Sequence, residues 1–486
     1  MGMSETSGCC SEDSALIVLT SDDIEWVGIT LELLSTVTEG RACKTAEVLD
    51  LRDLDFMGFS HRRGRFFAKR QGLVDSRVKS LGLIVHASSS HATKKPIAPF
   101  QNIAVEEAVN GAMFGVFRDD KVSTHSWLRK YLARRFYSAA SIAYESSERI
   151  FSQRHFCRIY VPNGRFPAQV AVILSAEARS IPLEFWEKGV KAENLYLGQC
   201  QPTDFQKMLE LSLEKRISSE DLGRASKYLD MRVNLESGDN VFSRKFKSRT
   251  LGSDGNYISF FTSSQDEFWS LGKRWPIPKF HDQLGAFEIV AKRHLGPREV
   301  PVLRMHPNTL NKSVRYAFNE FLRVHNLIRK NPSWIVIWPS MDKNSYELIQ
   351  ESKGVIVWNS TIGTEALHLG KPVRFLAQGV FSIASERTLL ELPFNEDMNI
   401  FELSLDPKKL AIEAVARLFS LERPLREENK IRVSWSILDS IFAAQSIAAL
   451  LINVGYAVER RLNLFLELLF RASVSLTRYS RHKSPT

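Results

Sequence analysis

Short apolar runs alternate along the chain with longer stretches whose apolar positions recur at helical spacing. The first run, ALIVLT (15–20), precedes the polar turn Ser21-Asp22-Asp23, a periodic stretch from Ile24 to about Val37, and a second run, AEVLDL (46–51). Strand, helix, strand in that order is the signature of a parallel sheet, because parallel neighbours need a crossover long enough to hold a helix. The alternation returns at GLIVHAS (82–88) and at RIYVPNG (158–164), which leads into the helical AQVAVILSAEARS and then IPLEFWEKG. Between them, from about 117 to 155, SWLRKYLARRFYSAASIAYESSERIF reads as an amphipathic covering helix.

From about 202 to 250 the pattern turns polar and helical and ends in the basic, turn-rich KFKSRTLGSDGN, a composition shift suited to a domain boundary. A second series follows. Its apolar runs are NYISFFTSS (256–264), EVPVLRMHPN (299–308), SWIVIWPS (333–340), GVIVWNST (354–361) and PVRFLA (372–377). Helices are expected between them near 281–294, 312–329, 344–352 and 362–369. The expected fold is therefore α/β, with two Rossmann-like parallel sheets. The division is a disordered polar leader (1–14), a first domain (15–250), a second (251–440) and basic amphipathic helices at the carboxyl end (441–486).

Composition narrows the class. With 486 residues, 44% hydrophobic and 25% charged, the chain has material for two soluble cores. A net charge of +10 suits a phosphorylated substrate, anionic lipid or nucleic acid without choosing among them. Trp127 to Arg135 is the one stretch that resembles a nucleic-acid surface, and it reads equally well as a covering helix, so no nucleic-acid partner is assigned. Five cysteines (Cys9, Cys10, Cys43, Cys157, Cys200), odd in number and without a C-x-x-C pair, argue for a reducing cytoplasm and against a disulfide or zinc framework. No metal site is expected. No run reaches the ~20 apolar residues of a bilayer span; the nearest, Ile441 to Val458, is broken by Gln445, Ser446 and Asn453.

In open parallel sheets ligands bind beyond the carboxyl ends of the strands. The second series places there Thr262-Ser263-Ser264, His306-Pro307-Asn308, Trp338-Pro339-Ser340 and Asn359-Ser360-Thr361. A helix starting after Ser360 would aim its free N–H groups and positive dipole end at an anion, with the Ser360 and Thr361 hydroxyls beside them. Those hydroxyls could equally be a plain N-cap. Glu365, in the next turn, could complement the dipole or accept from ribose hydroxyls. Gly370 and Pro372 read as the helix stop.

The series HPN, then WPS, then NSTIGTEALHLGKPV resembles the nucleotide-binding domain of bacterial capsule polysaccharide synthesis proteins, relatives of transferases that move Kdo or sialic acid from CMP-activated donors. The match is good from about 255 to 380 and weaker before it. The resemblance implies GT-B architecture, two such domains facing across a cleft, and a metal-independent glycosyltransferase with no cofactor beyond the nucleotide-sugar donor. It implies that His306, Pro307, Asn359, Ser360 and Thr361 hold the nucleotide, that Trp338, Pro339 and Ser340 border its base, and that Glu365 sits near the ribose. In the first half, YVPNGRFPAQVAVILSAEARSIPLEFWEKG is similar to the family pattern and sets Asn163, Gly164 and Arg165 at one strand end and Glu187 at the next. Where relatives often show a doubled acidic pair before the glycine, this chain has Glu187 before Lys188, with Glu184 three residues back.

Sugar transfer through an oxocarbenium-like transition state needs the leaving phosphate neutralised and, for inversion, a carboxylate or imidazole base on the acceptor hydroxyl; with retention a carboxylate acts instead as nucleophile, and the sequence does not choose between the two courses. His306 with the 360–361 loop suits the first task. Glu187 suits the second, with Asp22, Asp23 and Glu25 as rivals, and Ser263 and Ser264 lining the cleft. The expected function is transfer from a CMP-linked acidic sugar to a growing polysaccharide or lipid-linked acceptor. Rivals are a UDP-sugar or polyol-phosphate transferase, an epimerase of the same fold, or a non-catalytic assembly subunit. The tail ERRLNLFLELLFRASVSLTRYSRHKSPT (459–486) reads either as a helix in the interface of an anionic membrane or as one packed on the other domain.

Overall fold

Strand β1 (Ser14–Leu19) is an unbroken apolar run, and Ala15 to Leu19 are all buried, which requires cover on both faces of its sheet. The computed structural model describes residues 14–20, 24–39, 45–51, 74–87, 103–117, 127–190, 193–234, 256–264, 282–341, 344–377, 406–426 and 447–483. The polar leader ahead of β1, Asp22, Asp23, and the expected divisions at 250/251 and 440/441 lie outside the described residues.

The first sheet adds β2 (Thr45–Asp50), β3 (Ile84–Ala87), β4 (Phe156–Pro162), β5 (Leu183–Lys188) and β6 (Asn194–Gly198). Helices α1 (Ile24–Glu39), α2 (Ile103–Phe117), α3 (Trp127–Gln153) and α4 (Pro167–Glu177) accompany it. Helix α4 has a proline in its first turn and is buried at nearly every position, because α2 and α3 pack over it. Two more helices, α5 (Phe205–Glu214) and α6 (Ser219–Val233), follow. Both begin on acceptor side chains, Asp204 and Ser218, the latter in a reciprocal capping box with Asp221.

The second sheet is built from β7 (Tyr257–Phe261), β8 (Val300–Arg304), β9 (Ile335–Ile337), β10 (Gly354–Val357) and β11 (Val373–Phe375), all parallel. Its helices are α7 (Gln283–His294), α8 (Val314–Lys330), α9 (Ser345–Glu351), α10 (Thr361–His368) and α11 (Pro407–Ser420). Then come β12 (Glu422–Pro424) and the long terminal helix α12 (Ile447–Lys483).

Strand order is β12-β6-β5-β4-β1-β2-β3 in the first sheet and β11-β10-β7-β8-β9 in the second. The two Rossmann-like α/β sheets expected from the alternation are present. The first departs from a purely parallel pattern at one edge, where β6 runs antiparallel to β5 and β12 antiparallel to β6. Strand β12 follows α11, which packs on α10 and α6 beside the second sheet, so the chain returns to the first sheet for three residues. Helix α6, which precedes the second sheet in sequence, likewise packs against α10 and α11.

The cysteine reading needs correction. Cys157, in β4, is disulfide-bonded to a partner outside the described residues, whereas Cys200 is a buried free thiol whose pKa burial pushes up to about 12.

Candidate functional site

The second sheet reverses direction at β7: the chain moves outward through β8 and β9, then returns to lay β10 and β11 on the other side. Such a switch point opens a crevice at the carboxyl end of the central strand. The segment after β7 ties both neighbouring loops together. Thr262 Oγ1 accepts from the His306 backbone N–H at 2.7 Å. Ser263 Oγ donates to the Asn359 carbonyl at 2.7 Å, and the Asn359 N–H returns to Ser263 Oγ at 3.3 Å. Gln283, at the start of α7, locks Ser263 from behind through both its amide groups, at 3.0 and 3.2 Å. The predicted Ser263, Ser264, His306 and Asn359 thus come to one strand edge.

His306 is half-buried, and the turn Pro307–Asn311 that follows it uses its ring as a cap. The Asn308 N–H donates to Nδ1 at 3.1 Å, and Ser264 Oγ lies 3.3 Å from the same nitrogen. Because an amide can only donate, Nδ1 is an acceptor and the ring proton of the neutral imidazole resides on Nε2. Burial, aided by the positive charges of Lys312 and Arg304, lowers its pKa to about 3. The ring is therefore neutral at physiological pH.

Ser360 is the N-cap of α10, with extended backbone and its Oγ accepting from Ile362 N–H at 3.4 Å. Ser360 and Thr361 keep partial exposure while the helix behind them is buried. The glycine of the N-S-T-x-G motif is required by packing: a Cβ on Gly363 would sit 2.5 Å from the Phe375 ring and 3.0 Å from Val357. Gly370, at φ +78°, ends the helix as expected.

Other members of the expected nucleotide set have protein partners. Trp338 lies in the core against Phe321, Pro339 is buried, and the Trp338 carbonyl accepts from Arg304 Nη1 at 2.9 Å. Ser340 donates through both its N–H and its Oγ to Glu467 of α12. Glu365 is buried, with one oxygen on Arg232 of α6 at 2.7 Å and the other on the Tyr346 hydroxyl at 2.9 Å. His368, one turn further on, meets Asp230 of α6 at 2.8 Å. Helix α6 thus grips α10 through two part-buried polar contacts, one of them made by Glu365.

At the first sheet, β5, β4 and β1 are neighbours, and their carboxyl ends hold a second constellation. Glu187 accepts from the Asn163 side-chain amide and, at 3.0 Å, from the Lys188 N–H. Burial raises its pKa, opposed by these two hydrogen bonds and by the charges of Arg165 and Lys188. Asn163 and Gly164 turn the chain with φ of +52° and +82°, and a Cβ on Gly164 would lie 2.8 Å from the Phe185 ring. Arg165 stacks over Phe166 at 4.8 Å.

The organiser of this edge, Gln169, was not anticipated. Its carbonyl oxygen accepts from the Gly164 and Phe166 N–H groups at 3.1 and 3.2 Å, and its amide donates to Thr20 Oγ1, at the end of β1, at 3.0 Å. A lone glutamine in the apolar run AQVAVIL was the available signal. Glu184 is committed to Arg158, leaving Glu187 as the carboxylate at the strand end. The rivals Asp22 and Asp23, and the Glu25 side chain, lie outside the described residues.

Two α/β units with strand-end clusters of this kind define the general class, and one segment can be placed further. Residues 324–386 match the family described as "Capsule polysaccharide biosynthesis protein". That segment carries the 338–340 loop, Asn359-Ser360-Thr361 and Glu365, so the family resemblance read from the sequence is supported there. Among solved structures the chain is similar to KpsC of Thermosulfurimonas dismutans, a beta Kdo 2,4 transferase, at 14% identity over 54% of this chain and 79% of that one, TM-score 0.34. It is also similar to UDP-GlcNAc 2-epimerase from Neisseria meningitidis bound to UDP-GlcNAc, at 13% identity over 84% and 99% of the two chains, TM-score 0.26. No curated protein sequence matches.

Proposed function

We propose that the protein is a glycosyltransferase of bacterial surface polysaccharide synthesis, of the capsule or lipopolysaccharide type. It moves a sugar from a nucleotide donor, a CMP-linked acidic sugar, to a growing polysaccharide or lipid-linked acceptor. The observation that carries the reading is the stitching of His306 and the 359–361 loop to the single segment 262–264 at the switch point of the second sheet. The donor phosphate lies against the start of α10, held by its N–H groups, the Ser360 and Thr361 hydroxyls and the Nε2–H of His306. A neutral donor suits this task, since it stabilises charge developing on the leaving phosphate without forming a strong ion pair with the ground-state substrate.

Across a cleft between the two strand edges, Glu187 faces the acceptor. In the inverting course its carboxylate takes the acceptor hydroxyl proton as the new C–O bond forms, and CMP leaves with the electron pair of the broken glycosidic bond. Partial burial raises its basicity for that step. The CMP preference rests on the motif resemblance alone. The protein works without a metal, at the inner face of the plasma membrane, where the acceptor is anchored. That placement rests on donor and acceptor and not on the cysteines, given the bonded Cys157.

The test is a thermal-shift series with CMP, CDP and UDP, followed by donor hydrolysis. CMP alone is expected to stabilise the protein, and His306→Ala to lower turnover by about 10²–10³. A response to UDP alone would favour a UDP-sugar enzyme or epimerase. Nucleotide binding without turnover of any donor would favour an assembly subunit.

A further inference from the structure

Helix α12 carries apolar residues on both of its faces. The face turned to the protein buries Asn463 and Glu467 completely, with Leu466, Phe470 and Val474 beside them. The face turned to solvent carries Val458, Leu462, Phe465 and Leu469, spaced as one stripe, with Phe465 58% exposed. Polar ties fix this orientation. Asn463 donates to the carbonyls of Leu310 and Lys312 at 3.2 and 2.8 Å, and Glu467 accepts from Ser340. Turning the helix to hide its leucines would strand those buried groups, so the outward stripe is a fixed feature of the fold.

The apolar surface continues onto α8, where the half-exposed Phe318 meets the Phe470 ring at 5.7 Å and Leu322 is also exposed. Beside it stand the exposed Arg460 and Arg461. The charge of Glu459, in α12, acts on Arg129, in the first turn of α3. There Trp127 is 69% exposed and Tyr131, Lys130 and Arg134 are exposed too. Continuous apolar surface, indole and phenol rings, and flanking arginines are the chemistry of a headgroup boundary. A protein partner would have to match the arginines with acids around a featureless apolar ridge, whereas an anionic bilayer supplies both phases at once.

We propose that the outward face of α12, with Phe318 and Leu322 alongside, is a seat for an anionic lipid bilayer. The leucines and Phe465 enter the acyl boundary, and Arg460 and Arg461 meet headgroup phosphates. The inference deepens the membrane placement proposed above. It also gives that placement a purpose, because the turns of α12 that expose Leu462 and Phe465 hold the loops after β8 and β9 by their inner faces. The bilayer thereby sets the height of the donor edge above the lipid.

Sedimentation of the full chain with phosphatidylcholine vesicles, with and without phosphatidylglycerol, tests it. The wild type is expected to bind the anionic vesicles and to release them as salt is raised. The triple variant Leu462→Gln/Phe465→Gln/Leu469→Gln is expected to lose at least about tenfold in partitioning, and Arg460→Gln/Arg461→Gln several-fold, with melting temperatures near wild type. If the triple variant does not fold, Phe465→Gln alone carries the apolar arm. Equal binding by wild type and apolar variants, or no preference for anionic lipid, would overturn the proposal. So would a concentration-dependent dimer broken by the same substitutions, which would make the face a seam between copies. Lipid binding without donor turnover would sink the enzymatic reading and spare this one; turnover without lipid binding would do the reverse.

Discussion

The two strand edges solve different electrostatic problems. At the second sheet, hydroxyls, backbone N–H groups and a neutral imidazole present donors with little net charge of their own. At the first, one half-buried carboxylate is hemmed by Asn163, Arg165 and Lys188 and titrates above its ordinary range. In the proposed function a phosphate brings its own charge and asks only for preorganised donors, which small residues and backbone N–H groups supply. The base proposed at the first edge must instead have its proton affinity tuned by its immediate neighbours.

The sharpest way to separate the edges is Glu187→Gln. It should lower sugar transfer by about 10²–10⁴ while nucleotide binding, followed by thermal shift, stays intact. Equal loss of both would erase the division of labour. The pH profile sharpens it further. Activity should fall with acid through a pKa above the usual carboxylate value, and His306, with its pKa near 3, should add no inflection in the neutral range.

Next in size is the antiparallel margin of the first sheet. Glu422 accepts from the Val190 N–H and the Asn194 amide, yet burial raises its pKa to about 7 from 4.5. Between those values the folded state binds more protons than the unfolded one, so stability should decline as pH rises from 4.5 to about 7. Glu422→Gln should flatten that stretch of a Tm-against-pH curve. The smallest effect belongs to the second sheet. Gly363→Ala should cost about 1–3 kcal/mol of stability in denaturant unfolding, by pressing on Phe375 and Val357.

The alternation of apolar runs and periodic stretches was enough to read both sheets, since each strand buried on two faces must be apolar throughout. Strands β6 and β12 escaped because they are short and lie at an antiparallel margin, where pairing comes from distant residues and no crossover announces it. The 262–264, 306 and 359–361 clusters were legible as small polar residues immediately after apolar strands. Ser340 carried the same signature and Glu365 lies one turn into the helix that follows the 359–361 cluster, and each is also bound by a residue more than a hundred positions away, Glu467 and Arg232, which no local pattern announces. Gln169 went unread because a single amide within an apolar helix has no periodicity of its own.

The three-residue return at β12 has a consequence for dissecting this molecule. A fragment ending before the second sheet would leave β6 with an uncapped ladder of amide and carbonyl groups and Asn194 without its carboxylate partner. Such a margin invites pairing with other chains. Expressed alone, the amino-terminal half should therefore precipitate or self-associate. Supplying a peptide that contains Glu422–Pro424 should restore a monodisperse product, so the halves are not interchangeable modules.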